Sequence, residues 1–122
     1  MSLLAVTTAP GALGDAIHTP KAGSAERTAI LNALRGPVQS QFQAPVTFYK
    51  VDMKVQNGWA WVETVAMNKA GTKLLAGPYK TEGLLHKVGK SWTVGWWGVT
   101  NGSEVSNASK NMFPQAPKKI FF

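Results

Sequence analysis

Asn57-Gly58 stands between two runs of alternating character, Tyr49-Lys50-Val51-Asp52-Met53-Lys54-Val55-Gln56 and Trp59-Ala60-Trp61-Val62-Glu63-Thr64-Val65-Ala66, and no other feature narrows the fold as much. A two-residue type I′ turn needs positive φ at both central positions, which Asn and Gly adopt at least cost. The turn fixes a register in which Gln56 opposes Trp59, Val55 opposes Ala60, Lys54 opposes Trp61, Met53 opposes Val62 and Asp52 opposes Glu63. Side chains alternate across a strand, so Tyr49, Val51, Met53, Val55, Ala60, Val62, Thr64 and Ala66 share an apolar face expected to receive a helix. The other face is mixed, with Lys50, Asp52, Lys54, Trp59, Trp61, Glu63, Val65 and Met67.

That helix precedes the hairpin. Ser24 is a good N-cap and Glu26 falls in the first turn, where a carboxylate is favoured. Ile30, Leu34, Val38 and Phe42 recur every four residues with Leu31 beside them, giving a single apolar stripe. Gly36-Pro37 interrupts the hydrogen bonding while the stripe stays in phase, so one kinked helix or two nearly collinear pieces is expected. Pro45 turns the chain into strand.

After the hairpin, Lys69 to Pro78 reads as a connection, with Gly71 and Gly77-Pro78 as breakers and Leu74-Leu75 as an apolar anchor. A second hairpin pairs Tyr79–Val88 with Ser91–Val99 through Gly89-Lys90, its returning strand rich in tryptophan. Ser103 is placed to cap a short helix with Val105, Ala108 and Met112 on one side, which Pro114 stops.

At 122 residues the chain suits a single domain able to bury a core without crosslinks. It has no cysteine, hence no disulfide framework, thiolate nucleophile or cysteine-ligated zinc. A flexible lead-in is expected over residues 1–22 and the α+β domain over residues 23–122. The lead-in is rich in small residues and Pro, a composition that often follows a cleaved export signal. A periplasmic or secreted location is therefore expected, with Met1-Ser2-Leu3 as an added start; an upstream apolar segment in the genomic reading frame would support it. No apolar run reaches the roughly 20 residues of a membrane-spanning helix.

A helix followed by two long hairpins and a closing segment makes an α+β domain, the helix filling the hollow of a strongly curved antiparallel sheet. Gly23-Ser24-Ala25-Glu26-Arg27, Ala29 to Val38, Pro45-Val46-Thr47-Phe48, Gly58 to Val62, the Leu84-Leu85 to Trp92-Thr93-Val94 hairpin and Ala116 to Phe121 together resemble small bacterial domains of the nuclear transport factor two-like, cystatin-like superfamily. The resemblance implies a cone-shaped pocket between sheet and helix and dimerisation through the outer sheet face. Enzymes of that superfamily place a proton-transferring Asp or His deep in the cone. Here Tyr49 is expected to face the helix and Asp52 to face away, so the two do not converge on one ligand.

The remaining chemistry is sparse. His18 falls in the lead-in, and His86 lacks suitable company, with no second histidine nearby and its nearest acid, Glu82, lying across Gly83. Asp52 and Glu63 oppose each other across the hairpin, and paired carboxylates can lift one pKa; Lys50 and Lys54 on the same face read more simply as neutralising them. Trp92 and Trp96 alternate with Val94 as core residues. Trp59 and Trp61 beside Lys54 form an outward aromatic strip suited to dimer packing, cation–π contact or ligand stacking. The net charge of +7 favours acidic partners, but the lysines are dispersed, which argues against a nucleic-acid surface.

The expectation is thus a non-enzymatic binding or interaction domain with a tentative interface at Trp59, Trp61, Lys54, Asp52 and Glu63, without catalytic, metal-binding or cofactor-binding residues. Its partners would be a second copy, an acidic protein or a small apolar ligand. Two rivals are a small-molecule pocket enzyme of isomerase or cyclase type and a protein-blocking immunity or inhibitor partner.

Overall fold

A computed structural model describes residues 16–122. It contains α1 (Ala25–Phe42), β1 (Val46–Gln56), β2 (Trp59–Asn68), β3 (Lys80–Val88), β4 (Ser91–Thr100), α2 (Glu104–Met112) and a closing 3-10 turn, Lys118–Ile120. Ser24 caps α1 as expected, its Oγ accepting from Arg27 N at 3.2 Å. The helix runs unbroken through Pro37 and buries Ile30, Leu34 and Val38. Asn57 and Gly58 take φ of 53° and 77°, the type I′ signature, and the five cross-strand pairs expected from the turn all form.

The sheet is an antiparallel meander in the order β1-β2-β3-β4. One helix on a four-stranded antiparallel sheet is the α+β architecture expected, but the sheet is neither closed nor strongly curled. Closure into a cone would need the outer strands to approach one another. Here β1 and β4 are opposite edges, and β1 is instead met by the segment before α1.

Two bulges reset the alternation of the edge strands. In β1 the pairing slips between Tyr49 and Asp52, with Lys50 at φ 52°. A bulge places two residues against one, so every side chain before it changes face. Val46 and Phe48 therefore join Met53 and Val55 under α1, and Tyr49 points to the other side, contrary to the face read from the turn. In β4 the slip falls at Gly95, between the Leu84–Trp96 and Leu85–Val94 pairs. Trp92, Val94 and Trp97 pack toward the helix, whereas Trp96, expected in the core, is exposed.

The core beneath α1 joins Ile30, Leu34 and Val38 to Met53, Val55, Ala60, Val62 and Leu85. Gly83 lies beneath the helix, where an added Cβ would come within 2.8 Å of Leu34 Cδ1. A second core lies on the opposite face, where Val105, Ala116, Ile120 and Phe121 cover Trp59, Trp61 and Leu84. The sheet is thus packed on both sides. α2 presents Val105, Ser106 and Ser109 to it and leaves Met112 exposed, so its buried side is not the one expected from Val105, Ala108 and Met112. Ser103 stands at the cap position but makes no side-chain cap bond.

Part of the expected lead-in belongs to the domain. His18 exchanges backbone hydrogen bonds with Val55 at 3.0 and 2.8 Å, and Thr19 Oγ1 donates to the Met53 carbonyl at 2.8 Å. Pro20 is buried. The expectation for residues 1–15 lies outside the described residues.

Candidate functional site

The expected aromatic strip is not a surface. Trp59 is 5% and Trp61 0% exposed. The Phe121 ring lies 5.0 Å from Trp61, and Phe113 lies 5.8 Å from Trp59. Trp59 also stacks on His86 at 3.8 Å, so His86 serves as half-buried packing. The chain covers this apolar strip with its own C-terminal segment, as burial of large rings requires. The Phe121-Phe122 tail accordingly packs onto the outer face, Phe121 inside and Phe122 under Lys54 Nζ at 4.6 Å.

Asp52 and Glu63 are opposed in the register, but their carboxylates have different company. Asp52 is exposed in a shallow depression shared with Thr19, Lys54 and Phe122. Glu63 accepts from Trp61 Nε1 at 3.1 Å and from Lys80 Nζ at 2.9 Å. Its carboxylate partner is Glu82, directly opposite on β3. Lys80 Nζ also lies 3.5 Å from Glu82 Oε2, so one ammonium serves both acids. Burial pushes the Glu82 carboxyl above its ordinary value of 4.5, helped by Glu63 and opposed by Lys80. Lys80 is raised from 10.5, chiefly by its hydrogen bond to Glu63. The Glu63–Glu82 juxtaposition escaped the sequence because it joins two hairpins whose relative register no turn fixes. Glu104 accepts a hydrogen bond from Thr100, which lowers its pKa.

The Lys80 trio ends the covered part of the outer face, and beyond it the face opens. A groove of about 420 Å³ runs between β1, β2 and the connection from β2 to β3. Val65 and Met67 lie along it, Tyr49, Leu74 and Tyr79 wall it, and Lys50 and Lys80 stand at its rim. Tyr49, Leu74 and Tyr79 are 43%, 46% and 44% exposed, an unusual concentration of large apolar groups at one place.

Local chemistry builds this groove. The β1 bulge turns Tyr49 into it. The connection is held to β2 by Leu75 N donating to Ala66 O at 2.9 Å and Asn68 N donating to Lys73 O at 2.9 Å, which sets Leu74 opposite Met67. Asn68 Oδ1 accepts from the backbone of Thr72 and Lys73 at 2.8 and 3.1 Å, closing the turn. Gly71, at φ 74°, passes directly over Tyr49; a Cβ there would fall on the Tyr49 hydroxyl. Only glycine meets both demands, the positive φ and the close approach.

A wider depression lies beside α1, lined by Pro37, Gln41 and Val94–Val99. It holds no acid or histidine. Among the described residues no cluster of three or more His, Cys, Asp or Glu is placed to bind a metal, and no helix is long and apolar enough to cross a membrane. No family model matches the chain, and neither curated proteins nor solved structures give a match. Over the described residues, fold and site define an α+β architecture packed on both sheet faces, with an apolar groove that Lys50 and Lys80 help to line.

Proposed function

We propose that the chain is a non-enzymatic binding domain whose ligand site is the Tyr49–Leu74–Tyr79 groove. The observation that carries this reading is the gathering of exposed apolar side chains around a preformed concavity, while Trp59, Trp61 and Leu84 of the same sheet face are covered by the C-terminal segment. Ligand sites are typically apolar concavities of about 300–1,000 Å³ with a few polar groups at the rim. The pinned geometry of Lys80, Glu63 and Glu82 is better suited to fixing the groove's end than to proton transfer.

Kinship with the nuclear transport factor two-like superfamily is part of the same proposal, supported by the order of helix and hairpins and opposed by the open sheet. Export to the periplasm or medium is likewise proposed, from the small-residue composition of residues 1–22. Trp59 and Trp61 are buried, so a homodimer would have to use another surface.

Titration with 1-octanol, followed by amide NMR, tests the groove. Shifts should gather on Tyr49, Val65, Met67, Gly71 and Leu74 and disappear in Leu74→Asp, while Val99→Asp in the other depression binds as before. Retained binding in Leu74→Asp, or no binding at all, would refute the reading.

A further inference from the structure

We infer that the groove's ligand is a small amphipathic anion, an apolar body ending in a carboxylate, with the carboxylate held at Lys50. The inference rests on the groove being the binding site and names what it binds.

Charge around the groove is lopsided. Residues 64–81, which supply β2's outer half, the connection and the start of β3, contain Lys69, Lys73 and Lys80 and no acid. Lys80 is already engaged by Glu63 and Glu82 at 2.9 and 3.5 Å. Lys50 lines the same groove and is exposed, and among the described residues it has no acidic partner. Asp52, the nearest acid along β1, lies past the bulge and lines a different depression with Lys54 and Phe122. Glu63 and Glu82 are turned to Lys80. Among the described residues, the ammonium at the groove left without an acidic partner is therefore that of Lys50.

Its backbone is unusual as well. Lys50 is in the left-handed region at φ 52°, where a residue with a Cβ is disfavoured. The same bulge swings Tyr49 onto the groove wall, so one local distortion delivers both an apolar wall and a cation to one concavity. An apolar molecule bearing a carboxylate complements both. A neutral ligand would leave the cation unused, and a polyanion such as nucleic acid would meet an apolar floor instead of phosphate-binding groups. An exposed pair is worth little in water, and an apolar wall that excludes water on one side raises it, so Lys50 should improve anion binding about threefold to tenfold at low salt.

Octanoate and 1-octanol share a chain and differ in the head group. Binding of each to the full chain, and to Lys50→Asn, is measured by amide NMR or calorimetry at low salt. Asn tolerates the left-handed conformation, so the variant removes charge while keeping the bulge. The expected result is octanoate binding tighter than octanol, a threefold to tenfold loss for octanoate alone in Lys50→Asn, and a smaller octanoate advantage as salt rises. Equal binding of the two probes, or equal weakening of both by the variant, overturns the anion while the groove stands. Absence of binding by both probes overturns the groove and the anion together. Octanoate binding that survives Lys50→Asn but is lost in Leu74→Asp overturns the assignment of Lys50.

Discussion

Replacing Trp61 by alanine tests whether the outer sheet face is an internal core. Trp61 is fully buried between Leu84, Ile120 and Phe121, and its indole N–H donates to Glu63. Truncating a buried tryptophan costs about 3–5 kcal/mol, from lost apolar transfer and from the cavity left behind. Losing a hydrogen bond to a charged acceptor adds about 1–2 kcal/mol, tempered because Lys80 still serves Glu63. For a domain of this size each kcal/mol moves the midpoint by about 4–8 °C, so Trp61→Ala should melt at least 12 °C lower or fail to fold. Trp96→Ala is the internal comparison. That ring lies past the Gly95 bulge and is exposed, so its loss should cost about 1 kcal/mol or less. Thermal unfolding by circular dichroism of the two variants reads the difference directly. A Trp61→Ala protein that melts like the parent but changes hydrodynamic size would restore the dimer interface and refute an internal core.

Burial raises the Glu82 pKa in the folded state, so its contribution to stability is present below the ordinary carboxylate range and is lost as pH rises through its raised folded value. Denaturant midpoints measured across that range should fall with pH in the parent and less so in Glu82→Gln; parallel slopes would contradict this. Lys80→Met leaves two facing carboxylates without a cation and should cost about 1–3 kcal/mol at neutral pH, since the lysine is half exposed. Adding Glu82→Gln should recover part of that loss, and additive costs in a double-mutant cycle would deny the coupling. Gly83→Ala forces a methyl group against Leu34 under α1 and should destabilise by about 1–3 kcal/mol through overpacking; a stabilised protein would mean the helix moves freely.

The helix, both hairpins and the first register were legible because each rests on local chemistry, namely a cap, an apolar stripe and the Asn57-Gly58 turn. The faces of β1 were only half legible. Phe48 and Tyr49 are adjacent aromatics, so strict alternation carried outward from the turn gave no sign of the slip at Lys50. Gly95 inside a tryptophan-rich strand was the available sign of the second bulge. The groove was not legible, because it needs the β1 bulge, the fold of the connection and a lysine from β3 at one place. Nor was the covering of Trp59 and Trp61, since docking of the Ile120-Phe121 tail is a tertiary event without a local signature.

Crystals soaked in a series of small apolar solvents and alcohols would test the central claim most directly. The account predicts that the probes collect between Tyr49, Leu74 and Tyr79, with a polar head toward Lys50. Probes that gather instead beside Pro37 and Trp96, leaving that groove empty, would contradict it.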